Sequence, residues 1–362
     1  MNYELRIMNP ELSKLLKDAM SNLPFVSGRL PGIGGVIKAA PEHFEVEEVL
    51  PYEPCGEGEH VFIKLRRKGW STADVGRALG EPLGIAGHDI GWAGRKDKNA
   101  VTTQTISLRL PAAIRLKDVE TAIQDLPFDI LSLRRHRHKL KMGHVAANRF
   151  RIILSQIEPG ALNQAKAIAT EISRIGLPNY YGTQRFGAGM RNLDRVAAVL
   201  KRGKAYGKQH QFLISALQGA LFNIWLKQRF ERGEFNTIVL GDLAKKTDTG
   251  GMFVVEDLHE ALRRFHARQI VYTGPIYGHK MRPAGHMAAE HEKGLLDTFD
   301  LDTDMFKPLR APGSRRVALI FLNDLSIDSV DKGLQFNFSL PSGAYATIVL
   351  QEFTRKTGER AP

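Results

Sequence analysis

Short alternations of apolar and polar residues run through the first half of the chain and predict strands. They include Gly35-Val-Ile-Lys38, Phe44-Glu-Val-Glu-Glu-Val49, His60-Val-Phe-Ile-Lys-Leu65 and residues 102–110, 130–133 and 150–154, each rich in β-branched or aromatic residues and bounded by turn formers. Helical spacing separates them. Residues 10–20, 115–126 and 161–175 carry it, and Ser71-Thr-Ala-Asp74 reads as a capping box opening a helix that continues to Leu79. Pro178 is expected to end the helix over 161–175. From Gly182 the texture becomes helix-rich, with its longest apolar period over 212–230 and another helix over 256–269. Strand character returns over 316–322, 334–340 and 345–351. Strand-rich sequence on both sides of a helix-rich stretch predicts an α+β protein with a second domain inserted into the first. The C-terminal strands would then complete a mixed or antiparallel N-terminal sheet.

Composition adds a partner to this picture. With 362 residues, 43% hydrophobic and 25% charged, the chain can build two domains with real cores. No stretch approaches the roughly 18 consecutive apolar residues of a membrane span, and the opening Met1-Asn-Tyr-Glu-Leu-Arg lacks a signal-peptide pattern, so a cytosolic, non-membrane protein is expected. A formal charge of +12 and an isoelectric point near 9.7 favour a phosphate backbone, bound through counterion release. The excess is clustered: Lys64, Arg66, Arg67 and Lys68; then Arg134, Arg135, Arg137, Lys139 and Lys141; then Lys201, Arg202, Lys204 and Lys208. Each cluster alone fits a solubilising surface. Three together favour a nucleic-acid groove over a lipid surface.

Several classes drop out. The single cysteine, Cys55, excludes an internal disulfide and any multi-cysteine zinc site. His136, His138 and His144 lie in a basic run that repels a cation, so no metal site is expected. Gly32-Ile-Gly-Gly35 and Gly187-Ala-Gly189 lack the spacing and context of a dinucleotide loop, and no phosphate-binding Gly-Lys-Ser/Thr loop occurs, so no nucleotide cofactor is expected.

The richest chemistry lies in Gly94-Arg-Lys-Asp97-Lys-Asn-Ala-Val-Thr-Thr-Gln104, where one carboxylate sits among Arg95, Lys96 and Lys98. Nearby cations depress an aspartate pKa by roughly 1 to 3 units, which holds Asp97 ionised as a nucleophile, base or ion-pair partner. Taken alone the run also reads as a solvated turn. Asn179-Tyr-Tyr-Gly-Thr-Gln-Arg-Phe-Gly187 mixes aromatics, amides and Arg185 in a loop suited to stacking on unpaired bases, or to an aromatic hinge between domains. Asn148-Arg-Phe150 offers an amide to read a base edge and a ring to stack on its face.

Taken in order, these segments resemble the TruD family of tRNA pseudouridine synthases. The similarity runs from about Val36 to Glu352 through Lys38-Ala-Ala-Pro-Glu-His-Phe44, Gly56-Glu-Gly-Glu-His60, Gly94-Arg-Lys-Asp97, Asn148-Arg-Phe150, residues 179–187, Thr273-Gly-Pro275 and Leu340-Pro-Ser-Gly-Ala-Tyr345. The resemblance implies a pseudouridine synthase catalytic domain built on a mixed, mainly antiparallel sheet from residues 1–174 and 320–362, with an α/β domain special to the family inserted at 175–319. It implies that Asp97 is the catalytic aspartate and Lys38 its basic partner, and that Phe44, Asn148, Phe150 and Tyr345 line the uridine pocket. Tyr345 stands where the family more often carries Phe, which keeps the stacking face and adds a hydroxyl. The implied reaction breaks the C1′–N1 bond of uridine, turns the uracil and rejoins it through C5, which needs no redox, metal or activated cofactor. The implied substrate is the uridine at tRNA position 13; the sequence does not give the oligomeric state, and a monomer is the working expectation. Arg134, Arg135, Arg137, Lys139, Arg185, Lys201 and Arg202 are the candidate contacts to the RNA backbone. The main competing reading is a non-catalytic RNA-binding or RNA-chaperone protein with the same cleft. A methyltransferase would need a donor loop that the sequence lacks.

Overall fold

The computed structural model describes residues 11–205 and 207–355. The opening residues searched for a signal peptide lie outside it, as do Pro10 and residues 356–362. Helix α1 (Leu12–Ala19) leads into β1 (Gly34–Val36), β2 (Phe44–Val49) and β3 (His60–Arg67). Then come α2 (Thr72–Gly80), β4 (Ile90–Trp92), β5 (Val101–Arg109), α3 (Leu116–Ile123), β6 (Asp129–His136), β7 (Ala147–Ile157) and α4 (Ala161–Ile175). The middle of the chain folds as β8 (Leu177–Pro178), α5 (Arg191–Lys201), α6 (Gly207–Glu231), β9 (Leu243–Lys246), β10 (Met252–Val254), α7 (Leu258–His266), β11 (Ile270–Ile276) and α8 (His286–Thr298). It closes with β12 (Ser314–Val317), β13 (Leu319–Ile320), β14 (Ser326–Val330), β15 (Gly333–Pro341) and α9 (Ala346–Thr354). Among the described residues no helix is long and apolar enough to cross a membrane.

The principal sheet runs β14-β15-β7-β2-β5-β3-β6, with β1 added to β7 and β4 to β5. β2 and β5 are parallel, and the other pairings are antiparallel. A second sheet, β10-β9-β11-β12, packs with α6 and α7. This is the mixed, mainly antiparallel α+β architecture that the patterning predicts. β14 and β15 reach the principal sheet through the pairing of β15 with β7, in register from Leu334 opposite Leu154 to Pro341 opposite Ala147.

Strand alternation gives the sheet two unlike faces. On the inner face one row across the strands reads Arg67, Thr102, Val46, Phe150, Phe338, and beside it lie Glu48, Asn148 and Leu340. Helices cover this face at both ends. Toward β15 the core holds Ile152, Leu154, Phe336 and Phe338 with residues of α4, α6 and α9; toward β3 it holds Val61, Ile63, Leu65, Ile106 and Leu108 with Val75, Leu79, Val119 and Ile123. Each large apolar side chain so buried contributes roughly 1.5–3 kcal/mol. Between the two cores the inner face is polar: Arg67, Glu48, Thr102 and Gln104 are buried there. The outer face carries Glu47 with Lys64 and Arg149, and Glu45 with Arg66 and Arg151. One covered and one charged face is a usual antiparallel arrangement.

Three local expectations are corrected. Residues 345–351 form most of α9 and not a strand; every residue from Ala346 to Thr354 except Gln351 is buried, so the helix shows no polar face from which to read its period. Helix α4 ends at Gly176, whose φ of +92° is open to glycine, while Pro178 lies in β8. The apolar stretch 316–322 is split between β12 and β13, which pair with different strands. The capping box at Ser71 is present, with its Oγ accepting the Asp74 N–H at 3.2 Å.

The middle of the chain has its own polar anchor. Arg229 and Asp242, each 2% exposed, form a bidentate pair at 2.8 and 2.7 Å, while Arg229 stacks 3.8 Å from the Tyr272 ring centroid. Replacing Asp242 by Ala leaves the guanidinium buried without its counter-ion and is expected to lower stability by about 3–5 kcal/mol in chemical denaturation.

Candidate active site

Asp97 lies in the loop between β4 and β5, on the inner face, where the two cores part. Its position follows from Arg67, the last residue of β3. Strand alternation turns Arg67 inward with Val61, Ile63 and Leu65, and its guanidinium donates to the main-chain carbonyls of Trp70, Lys96 and Asp97, the last two at 3.2 and 2.9 Å. The Lys96 N–H donates to Thr72 Oγ1 at 2.9 Å, which ties the same loop to the start of α2. At β4, Gly91 allows close approach: a Cβ there would stand 2.3 Å from the Leu140 carbonyl oxygen.

The loop so held turns neighbouring side chains in opposite directions. Lys96 goes inward, with Nζ 3.0 Å from Glu48 Oε2 and 2.6 Å from Asn148 Oδ1. Asp97 stays 42% exposed and meets Lys38, whose Nζ donates to Oδ2 at 2.9 Å; the Asn99 N–H donates to Oδ1 at 3.0 Å. Burial pushes the Asp97 carboxyl up, but the Asn99 N–H, Lys38 and Arg67 together outweigh it and hold the carboxyl below its ordinary value. At Glu48 burial wins over Lys96 and raises the carboxyl.

Lys38 is not on a strand. It follows β1 with φ of +59°, a left-handed conformation that is uncommon for a residue with a side chain. From there Nζ also sits 4.5 Å from the Phe44 ring centroid. Phe44 meets Phe150 edge-on at 6.0 Å, and Phe150 stacks on Phe338 at 5.4 Å. The structure therefore joins Lys38, Asp97, Phe44 and Phe150 by direct contacts, and Asn148 through Lys96. Tyr345 belongs to a neighbouring cluster: Arg185 Nη2 donates to its hydroxyl at 3.5 Å, and its ring lies 6.1 Å from that of Tyr181. Arg185 also lies over Tyr181 and donates to Ser215 Oγ at 3.1 Å.

The cationic runs come apart in space. Arg67 is buried, Lys64 and Arg66 are paired on the outer face, and Lys68 meets Glu42. Arg135 donates to the carbonyls of Gly58, Leu110, Pro111 and Ile114 and so ties β6 to its surroundings. Arg137 pairs with Glu57, and Lys139 donates to the His88 carbonyl. Arg134, Lys201 and Arg202 are exposed. A cavity of about 350 Å³ on the outer face holds Arg66, Arg149 and Arg151, but each already has an acidic partner there.

Glu48 received no role in the sequence reading, Lys96 was read only as a cation flanking Asp97, and Arg67 only as part of a basic cluster. The signal was present for two of them: in Phe44-Glu-Val-Glu-Glu48 and in Val61-Phe-Ile-Lys-Leu-Arg-Arg67 a charged residue occupies an inward position of an alternating strand. Charge at such a position requires a partner, and here the partners build the site.

A family model for TruD, tRNA pseudouridine synthase D, matches residues 24–208 and 204–353. Among curated proteins the chain is 38% identical over 351 residues to the tRNA pseudouridine synthase D of Anaeromyxobacter dehalogenans, spanning 94% of this chain and 99% of that protein. It is 38% identical over 333 residues to that of Thermus thermophilus, spanning 91% of each. A crystal structure of the putative tRNA pseudouridine synthase D from Methanosarcina mazei has the same fold, with a TM-score of 0.73 at 22% identity over 96% of this chain and 98% of that one.

The lowered Asp97 titration gives a signed expectation. Its ionised form stabilises the fold above the ordinary carboxylate range, and that contribution is lost as pH falls through the lower native value. In Lys38→Met one of the groups holding it down is gone, so the Asp97 carboxyl is expected to titrate at higher pH than in wild type, followed by carbon-detected NMR of labelled carboxylates.

Proposed function

Because this chain belongs to the TruD family of tRNA pseudouridine synthases, we propose that it isomerises a uridine of tRNA to pseudouridine with Asp97 as the reacting carboxylate. The observation that carries this reading is the half-exposed Asp97, its carboxyl held below the ordinary value and paired at 2.9 Å with Lys38, whose ammonium faces the Phe44 ring, itself edge-on to Phe150.

Uridine inside a helix or stack offers neither C1′ nor C5 to a protein group, so the base must turn out. Phe150 presents a ring on which it can lie, and the Phe44 ring, already facing the Lys38 ammonium, walls the approach to Asp97. The C1′–N1 bond then breaks and the freed uracil turns. A bond forms from C1′ to C5, the C5 hydrogen leaves as a proton, and N1 gains one. Asp97 serves this either by attacking C1′ or by taking the C2′ proton to give a glycal, and both routes start from the carboxylate. Lys38 keeps that group charged and aims one of its oxygens, leaving the other to the Asn99 N–H.

In this reading the catalytic part comprises residues 1–174 and 320–362, and residues 175–319 form the inserted domain. The protein acts in the cytoplasm as a monomer, on the uridine at position 13. Arg134, Lys201 and Arg202 contact phosphates. Arg185 acts beside Tyr345, which lines the uridine pocket in this proposal. Arg135, Arg137 and Lys139 shape the protein that carries Arg134.

Tritium release from tRNA labelled at uracil C5 tests the reaction directly. Wild type is expected to release tritium from one uridine per tRNA and Asp97→Asn none, while both bind tRNA with similar affinity; release by the variant would remove Asp97 from the chemistry. Neutralising Arg134, Lys201 and Arg202 together is expected to flatten the dependence of log affinity on log salt by roughly 0.7–0.9 per lost phosphate contact. An unchanged slope would count against these contacts.

A further inference from the structure

Asn148 has a carboxamide with two chemically opposite ends, and its neighbours decide which end faces the cleft. The Lys96 ammonium has three donors and no acceptor. The amide atom 2.6 Å from Lys96 Nζ is therefore the oxygen. Lys96 is itself held: Nζ lies 3.0 Å from Glu48 Oε2, with the two side chains 9% and 1% exposed. Glu48 sits directly across from Asn148 in the pairing of β2 with β7, so acid, ammonium and amide form one short ladder on the inner face. Asn148 is half-exposed and two residues from Phe150, on the same side of β7. With the oxygen tied inward, the Nδ2 amino end is left for a base lying on Phe150.

From this we infer that the buried Glu48–Lys96 pair is a specificity device: it locks the Asn148 amide with its NH₂ toward the target base, so that the pocket accepts the 4-oxo group of uracil and rejects the 4-amino group of cytosine. Glu48 and Lys96 are positioning residues that act through Asn148. The inference rests on the isomerase reading above. An amide free to rotate would offer its oxygen to cytosine as readily as its nitrogen to uracil. One fixed by an ammonium cannot rotate without leaving two donors face to face, and a second buried charge, Glu48, prevents Lys96 from withdrawing.

The test uses Asp97→Asn as the non-reacting parent and a pair of tRNA transcripts that carry uridine or cytidine at the target position. The parent is expected to prefer the uridine transcript by about tenfold or more, the discrimination typical of a donor matched to a base edge. Adding Lys96→Met is expected to bring the ratio to within about twofold. So is the paired replacement Glu48→Leu with Lys96→Met, which removes both charges and avoids leaving either buried alone. A merely structural role would weaken both transcripts alike and leave the ratio unmoved, and comparing the same two transcripts across proteins cancels any difference in RNA folding. An unchanged ratio in a variant with a native melting transition, or no preference in the parent, would overturn the device. Tritium release by the wild-type protein, run alongside, separates that outcome from failure of the isomerase reading, which would show as no release from any tRNA.

Discussion

A single buried guanidinium organises the centre of this molecule. Arg67 is 2% exposed, and its hydrogen bonds go to three main-chain oxygens, those of Trp70, Lys96 and Asp97. A buried cation without compensation is prohibitively unfavourable. Here the compensation comes from carbonyl dipoles and from the Asp97 carboxylate, whose charge favours the ionised Arg67 against the burial that lowers it. The dependence is mutual. Arg67 holds the loop that carries Asp97, and Asp97 helps keep Arg67 charged. Because the carbonyls of both Lys96 and Asp97 are fixed from below, their side chains must diverge, one into the sheet and one toward the cleft.

That divergence explains why the hydrophobic core is divided. An α+β protein of this size could close one continuous apolar layer over its sheet. Instead the inner face changes from apolar to polar where β2, β5 and β3 meet, and Thr102 Oγ1, Gln104 Nε2 and Arg67 Nε there have no protein hydrogen-bond partner. Buried groups of this kind each lower stability by about 1–3 kcal/mol. A fold selected for stability alone would fill the band with Val or Ile. Keeping it polar parts the two apolar layers at the stretch of sheet beside which Asp97 is held. Part of the stability given up to buried polar atoms is thus given up around Asp97.

The sequence was legible wherever a segment had two different faces. Strands β2 and β15 show their alternation, and α4 shows its period to the residue, because each meets core on one side and more exposed surroundings on the other. It was illegible where that contrast vanished. Helix α9 is buried nearly all round, and its Ile348, Val349 and Leu350 read locally as a strand. Asp97 and Lys38 stand 59 positions apart, and nothing in either neighbourhood announces the other; the resemblance to a family brought them together, and the left-handed turn at Lys38 is what makes the contact feasible. Glu48 and Arg67 were readable as charges at inward positions, yet each adjoined a similar charge, Glu47 and Arg66, and so passed as part of an exposed run.

The same confusion governs the basic clusters, and here the lesson concerns charge. Lys64, Arg66, Arg67 and Lys68 are close in sequence, but Lys64 and Arg66 lie on the outer face and Arg67 on the inner one, and they meet different partners: Glu47, Glu45, three carbonyls and, for Lys68, Glu42. In a strand, neighbouring residues lie on opposite faces, so a run of four cations cannot form one patch. Helix ends and loops behave otherwise. Lys201 and Arg202 close α5, where exposed side chains share one end of the helix, and Arg134 stays in solvent beside cations already engaged. The net charge of +12 survives this local pairing, since each ion pair removes one cation with one anion. What pairing alters is location: the excess moves away from the strands that read as most basic and toward the helix end and the β6 edge. Near the centre Lys38 and Lys96 are already committed to Asp97 and to Glu48 with Asn148, while the exposed Arg95 and Lys98 flank Asp97. The ammonium that helps keep Asp97 ionised is thus taken up by that carboxylate, apart from the exposed cations that give the surface its charge.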